Sequence, residues 1–232
     1  GSTCSVMYDD GDAIHGILKT DFQNGKVCRE KTETYVSRLL SPEEKEVSIS
    51  AERERTFLNV RYLLDVYGKC ALIRPCGFGK TEIGKKIFMA RKYKKCLFLH
   101  PYNDDSQKKK IEELSRNAGK KIAIKTYAWL RGLSDKQIKA LNYDIVFMDE
   151  CHMLGGDDEE KKGAYKTFTA AQKFMAWHPM THFLGATATP VRMDGINVVD
   201  RLFLGHECYP YTEDDAREDG IIKPPYYFYN EY

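Results

Sequence analysis

A chain of 232 residues is long enough for one large α/β domain, or for a domain with an extension. Its 42% hydrophobic content is that of an ordinary globular protein, and no apolar run approaches a membrane span, which sets membrane partners aside. A formal net charge of +2 on 30% charged residues is close to balance, so any basic binding surface must be local rather than global.

Two further features bound the class. The start Gly1-Ser2 has no methionine and reads as a tag-cleavage scar, and no basic-then-apolar leader follows. The seven cysteines are scattered and contain no CxxC pair, which argues against a disulfide framework and a zinc site. A reducing, cytoplasmic location is the plain expectation.

Residues 1–50 are polar, with acidic clusters at Asp9, Asp10 and Asp12 and at Glu43, Glu44 and Glu46. They read as an N-terminal extension, with Ser41 as a helix cap and Pro42 in the first turn. Over 51–67, Phe57, Val60, Leu63 and Leu64 share one helical face, and Gly68 ends the helix. Ala71-Leu72-Ile73 is a first short strand. Arg74-Pro75-Cys76-Gly77-Phe78-Gly79-Lys80-Thr81 follows and opens into a helix through Met89.

Strand, tight loop and helix with Gly-Lys-Thr at the helix mouth is the arrangement that phosphate chemistry asks for. Gly77 and Gly79 allow positive φ, so successive N–H groups converge on an anion, and the helix N-terminus adds its own. Lys80 would reach the β- and γ-phosphates, and the Thr81 hydroxyl would hold Mg²⁺. The strict phosphate-loop pattern wants glycine where Arg74 stands. The plainer alternative is a glycine turn ahead of an ordinary helix with a solvated lysine.

Residues 96–100 form a second buried strand, stopped by Pro101. A helix begins at 104–106, a third strand covers 122–125, and Thr126-Tyr127-Ala128-Trp129-Leu130 starts another helix. A short helix lies around 134–141. Residues 143–148 are apolar without alternation, as in a parallel strand covered on both faces, and end in Asp149-Glu150-Cys151-His152. An acidic loop at 155–160, a helix over 162–177 and a fifth strand at 181–185 lead to Ala186-Thr187-Ala188-Thr189-Pro190. This alternation predicts an α/β doubly wound, mostly parallel sheet flanked by helices, with ligands at the carboxyl ends of its strands.

Asp149 closes a buried strand, where a carboxylate needs a cation or full hydrogen bonding, so it is placed to meet a metal. Glu150 would orient or activate the attacking water. Without the phosphate loop upstream, the pair would read as an acidic cap on a turn. Cys76 and Cys151 read as small packing residues and not nucleophiles, and His100 and His182 as satisfied core histidines.

Asp149-Glu150-Cys151-His152 resembles motif II of superfamily 2 helicases of the DEAD/DEAH-like group, and Thr187-Ala188-Thr189 resembles their motif III. The run 184–192 with Asp194-Gly195 is similar to the branch related to restriction-enzyme translocating subunits and excision-repair helicases. Residues 75–81 match that superfamily's motif I, whose proline accounts for Arg74 in place of glycine. The resemblance implies a RecA-like P-loop domain with ATP and Mg²⁺ as its cofactors. It implies phosphate contacts from Pro75, Cys76, Gly77, Phe78, Gly79, Lys80 and Thr81, a metal held by Thr81 and Asp149, and catalysis by Lys80, Asp149 and Glu150. His152, Thr187 and Thr189 would couple nucleotide state to movement.

The implied partner is nucleic acid, with DNA preferred to RNA, met by Pro101 and by Thr126, whose hydroxyl would donate to a phosphate. Pro101 and Gln107 match the strand-contacting motif loosely, and Asn103 stands where many members have a basic residue. No adenine-reading glutamine directly precedes motif I, since Phe22-Gln23 lies far upstream; Arg53 and Arg55 are the remaining candidates.

Nothing after Gly195 resembles a second RecA-like domain. Residues 51–205 therefore read as the first motor domain and 206–232 as the connection toward the second. Nucleotide binding should be weak and turnover slight, because the missing arginine finger is worth on the order of a thousandfold. Four activities compete. They are a helicase or translocase motor, a nucleic-acid-dependent ATPase of a restriction or defence system without strand separation, a small-molecule phosphate-loop kinase, and a binding module without catalysis. The 149–152 and 187–189 runs disfavour the kinase, and intact Lys80, Asp149 and Glu150 disfavour the last.

Overall fold

The computed structural model describes residues 3–6, 18–23, 26–28, 42–102, 105–154, 162–191 and 195–221. Expectations placed on Ser41, Asn103, the acidic loop at 155–160, Arg192, Asp194 and the aromatic run 226–229 lie outside them, as do the side chains of Phe22, Gln23 and Gln107.

Strands β1 (Thr3–Val6), β2 (Leu18–Gln23) and β3 (Lys26–Cys28) pair antiparallel in that order. The polar extension expected here thus contains a small sheet. Gln23 pairs with Lys26 across Asn24-Gly25, a two-residue hairpin signal outweighed in the sequence by the surrounding charge. Helix α1 runs from Pro42 to Tyr67, so the helix start expected at Pro42 and the helix expected over 51–67 belong to one continuous element. It ends at Gly68, with φ 70 and its N–H bonded to the Leu64 carbonyl, a left-handed helix stop.

The main sheet comprises β4 (Lys69–Ile73), β5 (Lys95–His100), β6 (Lys121–Thr126), β7 (Ile145–Asp149) and β8 (His182–Thr187), all parallel, in the order β4-β8-β7-β5-β6. The helices between them are α2 (Lys80–Phe88), α3 (Asp105–Ala118), α4 (Tyr127–Gly132), α5 (Asp135–Lys139) and α6 (Lys162–Trp177). Then come α7 (Val198–Phe203) and α8 (Glu213–Glu218), neither of which has a strong periodic signal. This is the doubly wound, parallel α/β sheet that the alternation predicts.

The strands lack polar alternation because both faces are covered. Cys96 and Phe98 of β5 pack with Val60 and Leu64 of α1 and with Ile83 and Ile87 of α2. Leu97 and Leu99 pack on the opposite face with Leu130 of α4 and Phe168 and Phe174 of α6. Each such side chain contributes roughly 1.5–3 kcal/mol on burial. Gly185 in β8 permits the closest approach, since a Cβ there would lie 2.3 Å from the Phe203 ring.

One segment adds to the sheet where the sequence suggests only a connection. Ala71 of β4 bridges Glu207 in parallel fashion, donating to the His206 carbonyl at 2.8 Å while its own carbonyl accepts from Cys208 N at 2.9 Å. Cys208, Tyr209 and Tyr211 are buried as a result.

Candidate phosphate-loop site

The strand order puts β8 between the strand that launches the loop, β4, and the strand that carries the carboxylates, β7. Loop 74–79, Asp149-Glu150 and Thr187 therefore share one edge of the sheet, at the carboxyl ends of three successive strands.

Gly77 (φ 82) and Gly79 (φ 99) take the left-handed backbone that the loop requires. Gly79 caps α2 without a side-chain hydrogen bond to the first-turn N–H groups. Phe78 is wholly buried and meets the edge of Tyr211, with centroids 5.3 Å apart, so a packed aromatic anchors the loop apex. Lys80 Nζ donates to the carbonyls of Arg74 (3.0 Å) and Pro75 (3.1 Å), tying the head of the helix to the start of the loop. Pro75 is buried, Thr81 is half-buried in the first turn of α2, and Cys76 is exposed at the turn. Cys76 is thus no packing residue, because the turn leaves its side chain exposed.

Asp149 is the last residue of β7 and half-buried. Burial, and after it the Glu150 carboxylate, raise its pKa to about 6, against the Glu150 N–H and the Lys80 ammonium, which lower it. The Glu150 N–H donates to Asp149 Oδ1 at 3.2 Å. Glu150 has φ 50, a backbone strain of about 1–3 kcal/mol for a residue with a Cβ. Buried Tyr127 donates its hydroxyl to the Asp149 carbonyl, bracing the strand end from α4. Burial, then Glu150 and Asp149, push the Cys151 thiol well up, so Cys151 is an inert packing group.

Thr187 is the hub of this edge. Its carbonyl accepts from Arg74 N (3.2 Å), and its Oγ1 accepts from Thr189 N (3.1 Å) and pairs with His152 Nδ1 (2.9 Å). His152 Nδ1 also lies 3.4 Å from Glu150 Oε2. A chain of polar contacts thus runs from the loop through β8 to Glu150. Thr189 is exposed beyond the strand.

Pro101 follows β5, and Thr126 ends β6, where its Oγ1 accepts from Trp129 N as the cap of α4. His100 and Thr126 are register partners. The two positions sit together on the far half of the edge, with β6 roughly 19 Å from β4 at ordinary strand spacing. The Thr126 hydroxyl proton is left to donate elsewhere.

Sequence reasoning gave no role to two residues here, Arg74 and Tyr209. Arg74 is 1% exposed: its Nε and Nη2 donate to Thr56 Oγ1 (3.2 and 3.1 Å) and its Nη1 to the Ile73 and Tyr209 carbonyls (2.7 and 3.0 Å). Tyr209 also donates to the Glu52 carboxylate. An arginine closing a buried strand signals such a setting, but its partners are distant in sequence. Arg53 Nε donates to the Phe78 carbonyl at 2.8 Å and lies against Gly79, whereas Arg55 pairs with Glu52 at 3.3 Å.

Among the described residues no group of three His, Cys, Asp or Glu side chains is arranged to hold a metal ion. The Thr81 hydroxyl and the Asp149 and Glu150 carboxylates are hard oxygen donors of the site. No helix of the described residues is long and apolar enough to cross a membrane.

No family model matches the chain, and neither does any of the curated proteins compared with it. Among solved structures, the helicase domain of Pyrococcus furiosus Hef matches at 17% identity and a TM-score of 0.42, over 71% of this chain and 40% of that one. That likeness adds nothing to what the topology already shows.

Proposed function

We propose that the chain is an ATP-binding motor domain of the superfamily 2 helicase and translocase type, which couples ATP hydrolysis to movement on nucleic acid. The observation that carries this reading is the convergence of loop 74–79, Asp149-Glu150 and the Thr187–His152 pair on one sheet edge, with β8 between loop strand and carboxylate strand.

On this reading the N–H groups of residues 76–81 hold the phosphates, and Lys80 leaves the Arg74 and Pro75 carbonyls to meet the γ-phosphate. Thr81 and Asp149 are the oxygen donors that would hold Mg²⁺, whose charge would offset that of the phosphates. Glu150 accepts the proton of the attacking water as the bond from the γ-phosphorus to its bridging oxygen breaks. The Thr187–His152–Glu150 contacts couple the loop to the base. Nucleic acid runs along Pro101 and Thr126, the Thr126 hydroxyl donating to a phosphate. Arg53, beside Gly79, is the better placed of the two candidates for the nucleotide's base. A second RecA-like domain would supply the arginine finger.

The test is the thermal midpoint with and without a Mg²⁺–ATP analogue, in the wild type and in Lys80→Ala. At a hundred times its dissociation constant a ligand stabilises by about 2.7 kcal/mol. A shift in the wild type that disappears in Lys80→Ala supports the proposal; no shift at millimolar analogue, or one that survives the substitution, refutes it.

A further inference from the structure

We infer that Arg74 is a positioning residue that sets the conformation of loop 74–79 according to the placement of the segment 206–211. The inference rests on the reading of that loop as the phosphate cradle. Arg74 belongs to the loop by its main chain, whose N–H bonds Thr187 and whose carbonyl accepts from Lys80. By its side chain it is shared between α1, through Thr56, and the chain that follows α7, through the Tyr209 carbonyl and the Tyr209 and Tyr211 rings.

The guanidinium lies 4.5 Å from the Tyr209 ring centroid, 5.1 Å from that of Tyr211 and 5.4 Å from that of Phe78. These rings and the oxygens of Thr56, Ile73 and Tyr209 form a cage for a planar cation with a fixed fork of donors. A lysine ammonium cannot reproduce that fork. Two of the three rings come from 206–211, and the third is the anchor of the loop apex.

Hydrogen bonds at Ala71 hold 206–211 on β4, the strand that ends in the loop, so a displacement of this segment that breaks them moves Tyr209 and Tyr211 relative to Arg74. The carbonyl that holds Lys80 moves with it. The glycine of the general phosphate-loop pattern would break this linkage, which gives a physical reason for an arginine there.

Cys76 reports on the loop independently of nucleotide, because it is exposed while Cys70, Cys96, Cys151 and Cys208 are buried. The experiment measures the alkylation rate of the Cys76-bearing peptide by mass spectrometry, and the Kd of a fluorescent ATP analogue, in the 232-residue chain. The variants are Arg74→Lys, Tyr211→Leu, which removes one cage wall and keeps Arg74, and Phe174→Leu, a destabilising control in the core on the other face of the sheet.

Both cage variants should change the Cys76 rate and raise Kd by about tenfold, the scale of losing one charge-assisted hydrogen bond in Arg74→Lys or one buried cation–π contact in Tyr211→Leu, while the control changes neither. Wild-type values in a folded cage variant, or equal changes in the control, overturn the inference and leave Arg74 as packing alone. If the wild type binds no nucleotide, the functional reading fails on its own, and the Cys76 rate still decides whether the cage sets the loop.

Discussion

At Asp149, burial and the neighbouring Glu150 carboxylate both work against ionisation and raise the pKa from 3.8 to about 6. The folded chain then binds this proton more tightly than the unfolded chain, so stability falls as pH rises from about 4 to 6 and stays reduced above that. Asp149→Asn should therefore stabilise the ligand-free protein above pH 6 by about 1 kcal/mol, or roughly 2–4 °C, a figure discounted for the partial exposure of the site. Below about pH 4 the gain should vanish. Thermal scans at low and at neutral pH check this, and an equal gain at both would show that the charge is not the cause. The same carboxylate is the proposed Mg²⁺ ligand, so the analogue-induced shift should weaken as pH drops through 6 and be lost in Asp149→Asn.

Between elements the closest packing is set by glycines, and Gly185 is the sharpest case. A methyl there would fall 2.3 Å from the Phe203 ring and 3.0 Å from Cys151 Sγ, forcing β8 away from α7 and from the turn that carries His152. Gly185→Ala should cost about 1–3 kcal/mol, read as a lower urea midpoint at unchanged slope. It should also disturb the Thr187–His152 contact, two residues along the same strand. A Gly185→Ala protein as stable as the wild type would mean that Phe203 relaxes freely, contrary to its complete burial. The helical and strand segments themselves were legible: residues 96–99 and 145–148 are unbroken apolar runs because helices cover both faces, and 162–177 was bounded as expected. The hairpin at 18–28 and helices α7 and α8 were not, since each is short and draws its stability from caps and pairing rather than from a periodic apolar face.

For the whole molecule, the segment 206–221 is part of the core and not only a connection. Cys208, Tyr209, Tyr211 and Ala216 are all at or below 6% exposure, and Tyr209 ties α1 to the phosphate loop through Glu52, Thr56 and Arg74. Losing one buried aromatic side chain costs about 3–5 kcal/mol, and two would rival the 5–15 kcal/mol that holds an ordinary domain together. A chain ending at residue 205 should therefore show no cooperative thermal transition, whereas the 232-residue protein should. Cooperative melting of the shorter chain would place the domain boundary before residue 206.

Residue types and their order were enough to mark the glycine loop 74–79, the Asp149-Glu150 pair at a strand end and the doubly wound α/β class, because each is a local signal: glycines where φ must be positive, a carboxylate ending an apolar run, strands alternating with helices. They were not enough to bring these pieces together. Strand order is a long-range property, and it alone inserts β8 between β4 and β7 and makes Thr187 the link between Arg74 and His152. The setting of Arg74 depends on Thr56, 18 residues before it, and on Tyr209, 135 residues after it. A buried guanidinium announces in the sequence that it needs partners, but only the folded chain decides which groups reach it.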